Sequence, residues 1–153
     1  MTLVDEALRI VLTGLHYLLR ASWFIRRPNT FGAQAVALTP EGKIILVRLR
    51  YAQGWRLPGG GRAADEPALD AALRELREEI GMTGHGKATA ALEFEESVHF
   101  KRDIASLVVV RDVRYRPRWS WEVEKVREAD LDALPADVSP STRQWIEEVR
   151  PLL

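Results

Sequence analysis

Leu8, Val11, Leu12, Leu15, Leu18 and Leu19 recur at three- and four-residue spacing near the start of the chain, which predicts a helix over residues 3–22. Asp5 and Glu6 would sit in its first turn and Arg20, Arg26 and Arg27 toward or beyond its far end, an order that suits the helix dipole. Thr2-x-x-Asp5 resembles a capping box. The period then shortens. Residues 30–38 and 43–50 read as strands, divided by the turn Thr39-Pro40-Glu41-Gly42-Lys43, where Pro and Gly stand as a hairpin would need them. Residues 51–61, with Pro58 and Gly59-Gly60-Gly61, read as a loop. Leu69, Ala72, Leu73, Leu76 and Ile80 restore the helical period, predicting a helix over 67–80 with Pro67 at its first position and Gly81 just past its end. Strands are expected over 87–96 and 104–113, a basic loop over 114–118, and another strand over 119–126. A short helix over 128–134 and a last helix opened by Ser139-Pro140 and running to about Val149 complete the order. No repeat or linker interrupts it. The expectation is one mixed α/β unit over residues 1–153.

Composition sharpens this only in places. A chain of 153 residues, 46% hydrophobic, can bury one sizeable core. Its 22 basic and 22 acidic residues leave no net charge, so no nucleic-acid polymer is expected as a partner. Cysteine is absent, which removes disulfides and thiolate metal sites and fits a cytoplasmic location. His16, His85 and His99 are too scattered for a zinc spacing. Charges interrupt the first helix too often for a transmembrane span, and its acidic start is unlike a secretory signal. Its apolar surface is nevertheless wider than a simple surface helix requires. Packing on its own domain is the first expectation and a homodimer contact the second. Membrane contact, aided by Trp23, Arg26 and Arg27, ranks last and is not expected.

The chemistry concentrates in the middle. Glu75, Glu78 and Glu79 are three and four residues apart, so they share one side of the 67–80 helix, while Arg74 and Arg77 fall elsewhere on the wheel. Like charges so placed repel, and folding gains nothing from them. A hard divalent cation such as Mg²⁺ would neutralise them and bridge protein to substrate phosphates.

The pattern Gly60-x5-Glu66-x7-Arg74-Glu75-Leu76-x-Glu78-Glu79-x-Gly81-Met82 resembles the signature of the Nudix hydrolases, filling every fixed position of the box over residues 60–82. The lead-in Gly54-Trp55-Arg56-Leu57-Pro58-Gly59-Gly60 is similar as well. A solvated acidic helix with an Arg74–Glu78 pair would explain the charges but not Gly60, Gly81 or the Glu66 spacing. The resemblance implies an α/β/α sandwich with a mixed sheet, to which this chain adds an N-terminal helix. It also implies hydrolysis of the pyrophosphate bond in a nucleoside diphosphate linked to another group, with Mg²⁺ or Mn²⁺ as cofactor. A nucleotide-binding sensor without turnover is the alternative, although degenerate boxes would suit it better than this intact one.

By position in the box, Glu75 and Glu79 are the implied metal ligands and Glu78 a ligand or water-activating base. Glu66 and Arg74 form an implied ion pair that fixes loop to helix. Gly59, Gly60 and Gly61 permit close backbone approach, and Gly81 ends the helix. Family members often take the general base from outside the box. Glu93, Glu95, Glu96, Asp103, Glu122 and Glu124 qualify by type, and Glu122 ranks first because similar sequences carry an acidic residue there. Arg48, Arg50 and Arg56 are candidate phosphate binders, the first two alternating to one face of a strand. Trp55, Trp119 and Trp121 are candidates to stack on a base. Markers of ADP-ribose or dinucleoside polyphosphate hydrolysis are missing at residues 96–99, so the substrate is not legible.

Overall fold

The computed structural model describes residues 3–26, 29–98 and 101–153. The elements in order are α1 (Leu3–Arg26), β1 (Asn29–Ala37), β2 (Ile44–Leu49), β3 (Trp55–Arg56), β4 (Gly59–Arg62), α2 (Ala68–Ile80), β5 (Met82–Gly84), β6 (Ala88–Val98), β7 (Lys101–Val110), β8 (Arg114–Tyr115), β9 (Val123–Ala129) and α3 (Pro140–Val149), followed by a 3₁₀ turn at Arg150–Leu152. One sheet runs β4-β1-β7-β6, a second β3-β2-β9, and a two-stranded ribbon joins β5 to β8. β1 is parallel to β7 and antiparallel to β4, so the first sheet is mixed.

Alternation along the strands sorts the core into two layers. Ala33, Ala35 and Ala37 of β1, Val108 and Val110 of β7, and Ile45 and Val47 of β2 turn toward Ala71, Ala72, Leu76 and Ile80 of α2. The intervening Val36, Leu107, Val109, Ile44 and Leu46 pack with Trp55, Leu57, Ile146 and Val149, the last two on α3. Small residues on both sides of the first layer let α2 lie close to the strands. The result is a sheet layer with a helix on each face, the sandwich expected. Leu76 and Ile80 are fully buried, and each contributes roughly 1.5–3 kcal/mol by leaving water.

Several boundaries moved. Residues 128–134 are not a helix, because β9 continues to Ala129 in pairing with β2 (Ile44 with Ala129, Ile45 with Glu128) and turns follow. The partner strand overrides local propensity there. The strand expected over 119–126 begins only at Val123, since Trp119 and Trp121 are exposed and their spacing mimicked strand alternation. The loop over 51–61 contains β3 and part of β4, whose glycines pair with Gly32, Ala33 and Gln34. The 39–43 turn forms, with Gly42 N–H donating to Thr39 O at 2.8 Å. It connects two different sheets, through the single bridge Leu38–Ile44, rather than a hairpin. Arg114–Tyr115, expected as loop, pair with β5. Pro67 caps α2 from outside instead of opening it, and Gly81 closes the helix in the left-handed region at φ 70°. Thr2, Arg27 and His99 lie outside the described residues, as do the side chains of Arg20, Trp23, Arg26 and Glu96.

The N-terminal helix is present, and most of its apolar residues face outward. Asp5, Leu8, Leu12, Thr13 and His16 are its half-buried residues, whereas Val4, Ile10, Val11, Leu15 and Leu18 are exposed. The expectation that the wide apolar surface packs on its own domain therefore fails for most of that surface. The helix meets the domain through Asp5, Arg9 and His16, beside the half-buried Leu8 and Leu12. Among the described residues no helix is long and apolar enough to cross a membrane.

Candidate active site

α2 presents its carboxylates to the glycine strand β4. Glu79 is 5% exposed and accepts a hydrogen bond from the Gly59 N–H at 2.9 Å. It forms no ion pair among the described residues. Burial, together with the charges of Glu75, Glu122 and Glu78, pushes its carboxyl up to about 8, although the Gly59 hydrogen bond opposes the shift. Glu75 is also buried, and burial raises it despite the Arg74 guanidinium 2.7 Å from its Oε1. Gly60 is required by this approach: a Cβ there would stand 2.6 Å from Glu75 Oε1. Glu78 is exposed at the rim.

Arg74 departs from the helical-wheel expectation. Its guanidinium reaches Glu66 at 3.3 Å, Glu75 at 2.7 Å and Glu78 at 3.7 Å, and donates to Gly61 O at 3.1 Å. A wheel fixes the Cα direction only, and a long flexible side chain can bend back into the cluster. The three carboxylates are thus partly neutralised by the protein itself, and Glu79 is the one left without a cation.

A cavity of about 740 Å³ opens over this cluster, lined by Tyr51, Gly59 to Gly61, Glu75, Glu78, Glu79 and residues 118–122. Among the described side chains of the six outside carboxylates, Glu122 alone lines it. Glu93 accepts from Ser106 Oγ at 3.3 Å, Glu95 pairs with Arg102, Asp103 accepts from Thr30 Oγ1 at 2.7 Å, and Glu124 lies 3.5 Å from Arg9. Glu122 is close enough to raise both Glu75 and Glu79. Tyr51, which the sequence did not single out, is half-buried in this lining. Its burial and the neighbouring Glu122 and Glu79 push it up to about 12, so it stays protonated as a donor.

The strand arginines go elsewhere. Arg48 pairs with Asp137 and covers the Trp55 ring at 4.7 Å. Arg50 is buried and pairs with Asp5 of α1. β2 ends at Leu49, so Arg50 lies beyond the strand that carries Arg48. Arg56 is half-buried close to Tyr51, whose hydroxyl it draws down. None of the three lines the cavity. Trp55 is core, while Trp119 and Trp121 are exposed at the rim, edge to face at 4.6 Å. Arg118 also lines the cavity and donates to Arg77 O at 3.1 Å.

Carboxylate oxygens are hard donors and suit a divalent cation by their chemistry. Among the described residues no group of three or more His, Cys, Asp or Glu is already gathered in metal-holding geometry. Arg74, lying on Glu75, supplies the positive charge that a cation would otherwise supply.

Residues 28–149 match the profile described as the NUDIX domain. The chain belongs to the Nudix hydrolase family. Among its relatives, it is 29% identical over 126 residues to an RNA pyrophosphohydrolase of Acidiphilium cryptum, covering 77% of this chain and 74% of that protein. It is 28% identical over 123 residues to the m7GpppN-mRNA hydrolase dcap-2 of Caenorhabditis elegans, again 77% of this chain but only 15% of the nematode protein's length. The crystal structure of the MutT NUDIX hydrolase from Burkholderia pseudomallei superimposes with a TM-score of 0.67 at 26% identity, covering 79% of this chain and 98% of that one. α1 precedes the residues matched to the family.

Proposed function

We propose that this Nudix protein is a metal-dependent hydrolase of the pyrophosphate bond in a nucleoside diphosphate linked to another group. The observation that carries the reading is Glu79, a buried carboxyl held near 8 beside Glu75, Glu78 and Glu122 in an open cavity. Folding alone has no use for such a group, whereas a cationic centre would stabilise its charged form. Glu75, Glu78 and Glu79 would hold Mg²⁺ or Mn²⁺, which when bound neutralises phosphate oxygens and lowers the pKa of an attacking water. Glu122, across the cavity, would serve as the base for an attacking water. Glu66 and Arg74 hold the loop against α2. Gly59 N–H orients Glu79, and Tyr51 lines the same cavity. Trp119 and Trp121 offer exposed ring faces and edges to a base.

Two substrate classes are in view. A small nucleoside diphosphate derivative suits the neutral net charge. The relatives' names favour a second reading, the 5′ phosphate end of an RNA, which presents the same pyrophosphate bond. The remaining parts of the proposal are a single unit over 1–153 and self-association of two copies through the outward apolar face of α1.

The test is turnover by wild-type protein of nucleoside triphosphates, nucleotide sugars, dinucleotides, capped RNA and 5′-triphosphate RNA, with Mg²⁺, Mn²⁺ or EDTA. Metal-dependent release of phosphate, pyrophosphate or nucleoside monophosphate is expected from at least one class. Tight nucleotide binding with no turnover in any of them would instead identify a sensor.

A further inference from the structure

The segment that carries Glu122 is held by an arginine which is itself held by the N-terminal helix. Arg50 donates from Nη2 to Ser120 O at 3.3 Å, and its backbone N–H donates to Glu122 O at 2.9 Å. Ser120 Oγ in turn accepts from the N–H groups of Glu122 and Val123 at 3.2 and 3.1 Å. The Arg50 side chain is only 6% exposed, and its other terminal nitrogen donates to Asp5 of α1. A guanidinium this buried stays in place only while a counter-charge faces it. Two further contacts follow the same line: Arg9 donates to Arg50 O at 3.3 Å, and His16 stacks on Tyr51 with centroids 6.0 Å apart. Thus α1 touches the domain at Tyr51, which lines the cavity, and at Arg50, one step removed from it.

We infer that α1 is a positioning element for the cavity, in which Asp5 fixes Arg50 and Arg50 fixes the 120–122 segment that presents Glu122 to the α2 carboxylates. The effect on turnover rests on the proposed role of Glu122, but the mechanical coupling does not. Asp5 and Arg50 touch no reacting group and act through the segment. Asp5, Arg9 and His16 of α1 supply these contacts.

The experiment compares Asp5→Ala, Asp5→Glu and Glu6→Ala with the wild type by peptide-resolved hydrogen exchange and, on whichever substrate the wild type hydrolyses, by steady-state kinetics. Glu6 is exposed and shares the acidic first turn, so Glu6→Ala controls for the helix dipole alone. Asp5→Ala is expected to speed exchange selectively at 119–124, to leave α2 protected, and to lower kcat at least ~10-fold with KM within about twofold, since displacement of a reacting group by an ångström is costly. Asp5→Glu should restore most of both, and Glu6→Ala should resemble the wild type. Unchanged exchange at 119–124 would overturn the inference. So would a general rise in exchange across the fold, or selective loosening with kcat unchanged. If the wild type turns over nothing, the proposed function fails by itself, and exchange at 119–124 still decides whether α1 holds the segment.

Discussion

Glu79→Gln should separate the cost of a buried carboxyl from every other pH effect on stability. Glu79 titrates near 4.5 when unfolded and near 8 in the folded, metal-free protein. Between those values the folded state binds the extra proton, so metal-free stability falls as pH rises from about 4.5 to about 8, and then levels. At about 1.4 kcal/mol per pKa unit, the shift from 4.5 to about 8 sets an upper limit of about 5 kcal/mol on this loss. Repulsion between exposed like charges on a helix is worth only roughly 0.2–0.5 kcal/mol per pair, so burial dominates. Glutamine resembles the protonated form at all pH values and escapes the loss. The assay is thermal melting of both proteins in EDTA at fixed ionic strength from pH 5 to 9. The advantage of Glu79→Gln in Tm should be near zero at pH 5, grow to about pH 8 and then stay flat; each kcal/mol corresponds to roughly 2–4 °C for a chain this size. Mg²⁺ or Mn²⁺ should raise the wild-type Tm more at pH 8 than at pH 6, because the cation displaces that proton. A difference between the two proteins that is independent of pH would refute the reasoning.

Other consequences are simpler to check. Gly60→Ala places a methyl against the Glu75 carboxylate, so kcat should fall well below wild type while Tm drops by only a few degrees, by kinetics and calorimetry. Leu76→Ala, at a fully buried site between α2 and the sheet, should cost about 2–5 kcal/mol in urea unfolding. Replacing Trp119 and Trp121 together by Ala removes exposed aromatic surface from the cavity rim, so KM should rise several-fold with kcat little changed if the pair stacks on a base. Leu15→Lys with Leu18→Lys should convert a dimer to a monomer in sedimentation velocity, and an unchanged sedimentation coefficient would remove α1 as the dimer contact.

The sandwich and the carboxylate helix were legible because both depend on local periodicity: Leu76 and Ile80 mark the buried side of α2, and Gly60, Glu66 and Gly81 stand at spacings that only a particular turn geometry uses. What escaped depended on partners distant in sequence. Residues 128 and 129 are strand because Ile44 and Ile45 pair with them. Trp119 and Trp121 looked like strand residues because exposure cannot be read from alternation. Arg48 lies on β2 and Arg50 just beyond its end, and each found a carboxylate, Asp137 and Asp5, far along the chain. Arg74 was placed by its Cα direction, yet its guanidinium lies among the glutamates. Glu75 and Glu79 are buried with the core side of α2, which the local charge pattern does not reveal, and burial rather than repulsion governs their protonation.

The most direct measurement is the turnover of Glu79→Gln on a substrate the wild type cleaves, with saturating Mg²⁺ or Mn²⁺ and circular dichroism on the same sample. The account predicts a fall in kcat of at least ~10²-fold with the spectrum unchanged, since the cation loses a charged ligand while the apolar side of α2 stays packed. Near-normal turnover with an intact spectrum would contradict it, and the catalytic centre would have to lie elsewhere.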